Sequence, residues 1–215
     1  GVLTGEQVRP SKEGMTISGD GKMGQTAAGT VWSLGKETSI GQERYEVTAI
    51  YIVAKGTADF LIGEQVKKEP VSDGDCRIIP GGTLCGVETA TGTVYTEIIS
   101  KKENDVQMNN IVKSGEVMKL KDLISYEEGS IANLDVVSNG TMKFVLMAFD
   151  DGTGLTPHRA PGNAIIFALE GKATIGYEGK DYTLSAGENF RFDKNGLHSV
   201  TAQGKFKMAL LLVLE

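Results

Sequence analysis

The feature that most constrains the fold is an internal repeat of about half the chain. The run AIYIVAKGTADFLIGEQ begins at Ala49 and AIIFALEGKATIGYEGK begins at Ala164. Laid side by side without gaps, they bring Ala49, Ile50, Gly56 and Ala58 onto Ala164, Ile165, Gly171 and Ala173. Further along, VSDGDCRIIPGGTLCGVETA lies over LSAGENFRFDKNGLHSVTAQ, with Gly74 on Gly187 and a longer preceding turn in the first copy. The copies end in strand-like runs, VYTEIIS and KMALLLVLE. The period is far longer than the roughly 20–50 residues of solenoid repeats. It reads as a tandem duplication of one small domain.

Within each copy, short apolar and β-branched runs alternate with Gly, Asp and Asn turns. The chain carries 28 glycines but only 5 prolines, a balance that suits many tight turns between short strands. The expected class is all-β, antiparallel sheets closed into barrels, with few short helices. Asn139-Gly140, between NLDVVS and TMKFVLMAF, marks a hairpin. The polar stretch SKKENDVQMNN (100–110) reads as part of a linker. After it, Val117, Leu120 and Ile124 recur at helical spacing and predict a short helix. The expected domains are 15–100, a linker over 101–113, and 114–215.

A length of 215 residues suffices for one large core or two small ones. A net charge of −6 argues against nucleic acid and anionic membranes as partners. No apolar run reaches the ~18–20 residues that span a bilayer, and no signal-peptide pattern opens the chain. Cys76 and Cys85 are the two cysteines, too few for a disulfide framework. They read as reduced thiols, which places the protein in the cytoplasm.

The two histidines stand at corresponding places in the motifs of the second copy. Gly152, five residues, His158 and then Gly171 form one frame; Gly187, five residues, Asp193, Asn195 and His198 form another. With these glycine frames recurring in both copies, nearly the whole chain resembles the cupin family. The resemblance implies two tandem jelly-roll β-barrels. Cupin metals are held by imidazoles and a carboxylate, so the resemblance also identifies the missing donors. The second family histidine falls on Ala160 and the family glutamate on Ala164, leaving His158 and His198 as candidate metal ligands. In the first copy the same positions are Glu43, Tyr45, Ala49 and Cys85, although Pro80 and Gly82 of its second motif survive. No metal site and no equivalent polar centre is expected there.

In the implied C-terminal barrel, His158, Ala160, Ala164 and Ile166 share the inward face. Met147, Phe149, Phe190, Phe192 and Met208 are the expected apolar wall of a ligand-binding pocket larger and drier than usual. The histidine pair has two readings. It lines this pocket and hydrogen-bonds a ligand or water, or it weakly holds a divalent transition metal (zinc, nickel, iron or manganese), with Asp193, Asn195 or the substrate as third donor. Two protein ligands are fewer than most sites supply, so no tightly bound cofactor is expected. Arg159 and Arg191 alternate outward beside the histidines. Cys85 is expected to be a buried, inert thiol, Glu43 and Tyr45 to face solvent, and Trp32 to pack in a core.

These residues support a small-molecule-binding protein working through the C-terminal barrel. The alternative is a metal-dependent enzyme of dioxygenase or isomerase type. A third reading is a structural module in which the barrels serve assembly. The expected state is a monomer with its two barrels paired within the chain, or a homodimer.

Overall fold

The computed structural model describes residues 2, 16–22, 27–100, 106–113 and 116–214. The chain divides into two units. One comprises Gly5–Asn104 with Lys113–Lys119, and the other Gly1–Thr4, Asp105–Val112 and Leu120–Glu215. The expected boundary at residue 15, residues 101–105 of the expected linker, and residues 114–115 at the start of the expected second domain lie outside the described residues.

The first unit contains β1 (Thr16–Lys22), β2 (Ala27–Leu34), β3 (Thr38–Arg44), β4 (Ala49–Ile62), β5 (Lys67–Ser72), β6 (Asp75–Ile79), β7 (Leu84–Thr89) and β8 (Thr93–Ser100). Every pairing is antiparallel: β1 with β2, β2 with β8, β4 with β5, β6, β7 and β8, and β3 with β7. The second unit contains β9 (Gln107–Met108), then, beyond β10 (Met118–Lys119), β11 (Ile131–Ser138), β12 (Met142–Phe149), β13 (Gly154–Arg159), β14 (Asn163–Tyr177), β15 (Lys180–Ser185), β16 (Asn189–Phe192) and β17 (Leu197–Val213). Here β14 pairs with β15, β16 and β17, β12 with β11 and β17, and β13 with β17. Each unit is therefore a jelly-roll barrel with the same pairing scheme, and the long β17 serves as β7 and β8 do in the first.

The aligned glycines explain the common geometry. Gly56 and Gly171 have φ of 80° and 74°. A methyl group on them would stand 2.3 Å from the Gly92 carbonyl oxygen and 2.0 Å from that of Lys205. Both long strands thus bend where only a glycine lets the neighbouring backbone approach. Gly74 and Gly187 donate equivalent backbone bonds, to Val53 and Ala168, each at 2.9 Å. The longer turn of the first copy is also visible: Ile62 pairs with Lys67 across four residues, whereas Tyr177 pairs with Lys180 across Glu178 and Gly179 alone. Those two residues have φ of 48° and 79°, the signature of a type I′ hairpin. At the β11–β12 hairpin, the Asn139 side chain accepts from the Thr141 and Met142 amides at 2.9 and 2.8 Å.

The expected helix after residue 114 is corrected. Met118–Lys119 instead forms β10 against β6, opposite Cys76 and Asp75, and Lys119 Nζ lies 2.7 Å from Asp75 Oδ1. Only Leu120–Asp122 coils, as a single 3-10 turn. The apolar residues serve different cores: Val117 packs on the first unit, while the fully buried Leu120 belongs to the second. One helical face could not satisfy both. Within the expected linker, β9 pairs with β11 of the second unit.

Candidate functional site

Strand pairing brings the two histidines together. β13 lies antiparallel to the start of β17, with His158 directly opposite His198 and a bulge between Leu155 and His158. Their ring centroids are 4.2 Å apart, tilted by 56°. His198 is buried and His158 exposed. On its other side His198 stacks on Phe192, at 4.2 Å and 27°. The turn before His198 is fastened to the strand after His158. Ala160 donates to the Gly196 carbonyl at 3.1 Å, Asn195 donates back to the Ala160 carbonyl at 2.9 Å, and Arg159 Nη1 donates to the Asn195 carbonyl at 2.7 Å.

Each imidazole has a backbone carbonyl at Nδ1. His158 Nδ1 is 2.8 Å from the Thr156 oxygen, and His198 Nδ1 is 3.1 Å from the Gly196 oxygen. A carbonyl only accepts, so in both neutral rings Nδ1 carries the proton and Nε2 is an acceptor. Burial lowers the pKa of His198 below the ordinary 6.5; the Gly196 carbonyl opposes the shift and the neighbouring His158 adds to it. The buried ring is thereby held towards its neutral form.

The eight apolar residues expected around this pair, Met147, Phe149, Ala160, Ala164, Ile166, Phe190, Phe192 and Met208, lie in one buried cluster. None is more than 7% exposed, and the rings of Phe190 and Phe192 occupy the inward face, 5.1 Å apart. Together they form a packed floor beneath the histidines. The open space lies to the side, in a surface hollow lined by Pro157, Tyr177, Lys180, Asp181, His198 and Ser199 among others. Tyr177 carries no motif that marks it in the sequence. It pairs directly with His198 across β14 and β17, and its ring stands 5.4 Å from that of Phe192. Its signal is positional: it ends β14, the strand that carries Ala164 and Ile166.

Metal fit can be judged from the donors. The carbonyl-bonded Nδ1 atoms turn both rings as metal-ligating histidines are commonly turned. Among the described residues, however, no three His, Cys, Asp or Glu side chains form a group able to hold a metal ion. Asp193 stands 3.4 Å from Arg191 Nε, and Asn195 is committed to the turn with φ of 67°. The described residues do not make a complete cupin metal centre.

The expectation that the first barrel lacks a polar centre is corrected. Glu97 on β8 is only 5% exposed. Its carboxylate accepts from Trp32 Nε1 at 3.4 Å and from the hydroxyls of Tyr51 and Tyr45. Burial raises its pKa, against the pull of these donors. Tyr45, expected to face solvent, is half-buried and has its pKa pushed up to about 12, first by burial and then by Glu97 and Glu43. Trp32 packs against the core, as expected, and also lines a hollow with them. The clue was the spacing in VYTEIIS: Glu97 follows Tyr95 by two residues and so shares its inward face. Cys85 and Cys76 are free and buried; burial pushes the Cys85 thiol up to about 12, although Arg77 pulls it down. A thiol so protonated is a poor nucleophile.

Comparison with known proteins agrees with this architecture. Residues 145–214 match the family model for the Cupin domain. No curated protein matches the sequence. Among solved structures, a Cupin 2 conserved barrel domain protein from Leptotrichia buccalis superposes with a TM-score of 0.86 at 24% identity, covering 99% of this chain and 96% of the other. Salicylate 1,2-dioxygenase from Pseudoaminobacter salicylatoxidans, in adducts with gentisate, superposes with a TM-score of 0.64 at 14% identity, over 86% of this chain and 68% of that one. These likenesses establish the fold. Among the described residues, no helix is long and apolar enough to cross a membrane.

Proposed function

We propose that the protein, whose residues 145–214 match the Cupin domain family model, binds a small molecule at the C-terminal barrel, on His158 and His198. The supporting observation is the pair of Nε2 acceptors, set side by side by strand register and oriented by two backbone carbonyls. Two Nε2 acceptors beside the Phe192 ring suit an uncharged or aromatic guest that carries hydroxyl donors. The first barrel is then the diverged partner of a duplicated, two-cupin chain. The chain works in the cytoplasm, as its free cysteines suggest, as a monomer or homodimer.

A second reading is a metal-dependent enzyme of dioxygenase or isomerase type with a reduced two-histidine site. The carbonyl-bonded Nδ1 atoms favour it, because they leave both Nε2 atoms free for a metal.

One experiment separates the two. The imidazole proton signals of the two histidines are followed by NMR while phenol or catechol is added to protein dialysed against chelator. Saturable shifts of both signals, lost in His158→Ala, support small-molecule binding. Zinc, nickel, iron or manganese retained stoichiometrically through the dialysis, and released by the same substitution, would put the enzyme reading first.

A further inference from the structure

The interior of the first barrel reverses the chemistry of the second. Strand pairing places Tyr51 opposite Glu97, and Ile166 of the second barrel opposite Leu210. Likewise Val53 opposes Tyr95 where Ala168 opposes Met208, and Trp32 opposes Tyr95 where Met147 opposes Met208. At these paired positions the second barrel has aliphatic side chains and methionines, and the first has Val53, aromatic rings and a carboxylate. Tyr51 stands 5.9 Å from Tyr95, centroid to centroid. Glu43 lines the same hollow from β3. Among the described residues that line it there is no lysine, arginine or histidine. Arg77, 1% exposed and opposite Tyr51 across β4 and β6, has its guanidinium engaged at 2.8 Å by Glu69.

We propose that the first barrel is a second binding site, which takes the primary ammonium head of a small amine between Glu97, Glu43 and the rings of Trp32, Tyr45, Tyr51 and Tyr95. The carboxylates supply negative charge, and the ring faces attract a cation. A primary ammonium carries three donors and no acceptor, which complements two carboxylates and tyrosine hydroxyls whose lone pairs remain after they donate to Glu97. Size narrows the choice further. The hollow leaves about 20 Å³ for the centres of water-sized groups, room for about one water. An –NH₃⁺ head is of that size and a trimethylammonium head is not. Ile40, Gly41, Cys85, Gly86 and Val87 form the remaining wall. This site is independent of the histidine pair.

The single tryptophan of the chain is part of the site, so its fluorescence reports on occupancy. The full-length protein is titrated with ethylammonium or n-butylammonium chloride at constant ionic strength, with sodium and tetramethylammonium chlorides as comparisons. The expected result is a saturable change in Trp32 emission with the primary amines that the comparison salts do not produce. Glu97→Gln should weaken it at least tenfold, while His158→Ala leaves it intact. Tyr45→Phe, which removes one hydroxyl at the half-buried edge, should weaken it several-fold and serves if Glu97→Gln does not fold. No saturable change, an equal response to tetramethylammonium, or a response that survives in the folded carboxylate variant or, failing that, in Tyr45→Phe would overturn the proposal.

Discussion

Replacement of Phe192 by alanine tests the packed floor beneath the histidines. The ring is 1% exposed and touches two aromatic neighbours besides stacking on His198: Phe190 at 5.1 Å and Tyr177 at 5.4 Å. Large-to-small changes at such sites cost about 3–5 kcal/mol, because the lost burial adds to the cavity left behind. The aromatic contacts account for about 0.5–1.5 kcal/mol per pair of that loss. Phe192→Leu keeps most of the volume and should cost about half as much. The change should also act on His198, whose pKa is lowered chiefly by burial. With the ring gone, water reaches the imidazole and its pKa should climb back towards 6.5. Urea unfolding followed by far-ultraviolet circular dichroism reads the stability, and NMR titration of the two histidines reads the pKa. Trp32 fluorescence, in the other barrel, should change little in the native state. An alanine variant with unchanged unfolding and an unchanged His198 titration would refute the stacked, desolvated arrangement.

Two further outcomes follow from the same geometry. Because the folded pKa of His198 lies below its unfolded value, the unfolded state binds more protons between the two; this residue's contribution to stability should be complete above about pH 6.5 and be lost as pH falls below it. Urea midpoints measured across that window should decline more in wild type than in His198→Gln. Gly171→Ala forces a methyl group to within 2.0 Å of the Lys205 carbonyl oxygen at φ of 74°, so it should destabilise by more than the roughly 1 kcal/mol of a left-handed alanine in open space. Gly140→Ala, with nothing within 4 Å, should be close to neutral by the same assay.

The sequence by itself determined much of the backbone. Runs of β-branched residues between glycine turns specify antiparallel strands, and glycines such as Gly56 and Gly171 mark bends because a side chain there would strike a carbonyl. The motif frames also put His158 and His198 in one barrel, which strand register then realises as a direct pair. What side chains do across strands was left to tertiary structure. Val117, Leu120 and Ile124 have helical spacing, yet their burial in different units keeps that stretch from forming one helix. Ala160 and Ala164 say nothing of what stands beside them, and the residues opposite Ala164 and Ile166, Phe192 and Phe190, arrive from another strand. Glu97 gains its meaning from Trp32, 65 residues away in sequence, and from Tyr45 and Tyr51. A carboxylate can be kept inside a barrel only when several strands aim donors at it, and that convergence depends on how the barrel closes, which no local pattern encodes.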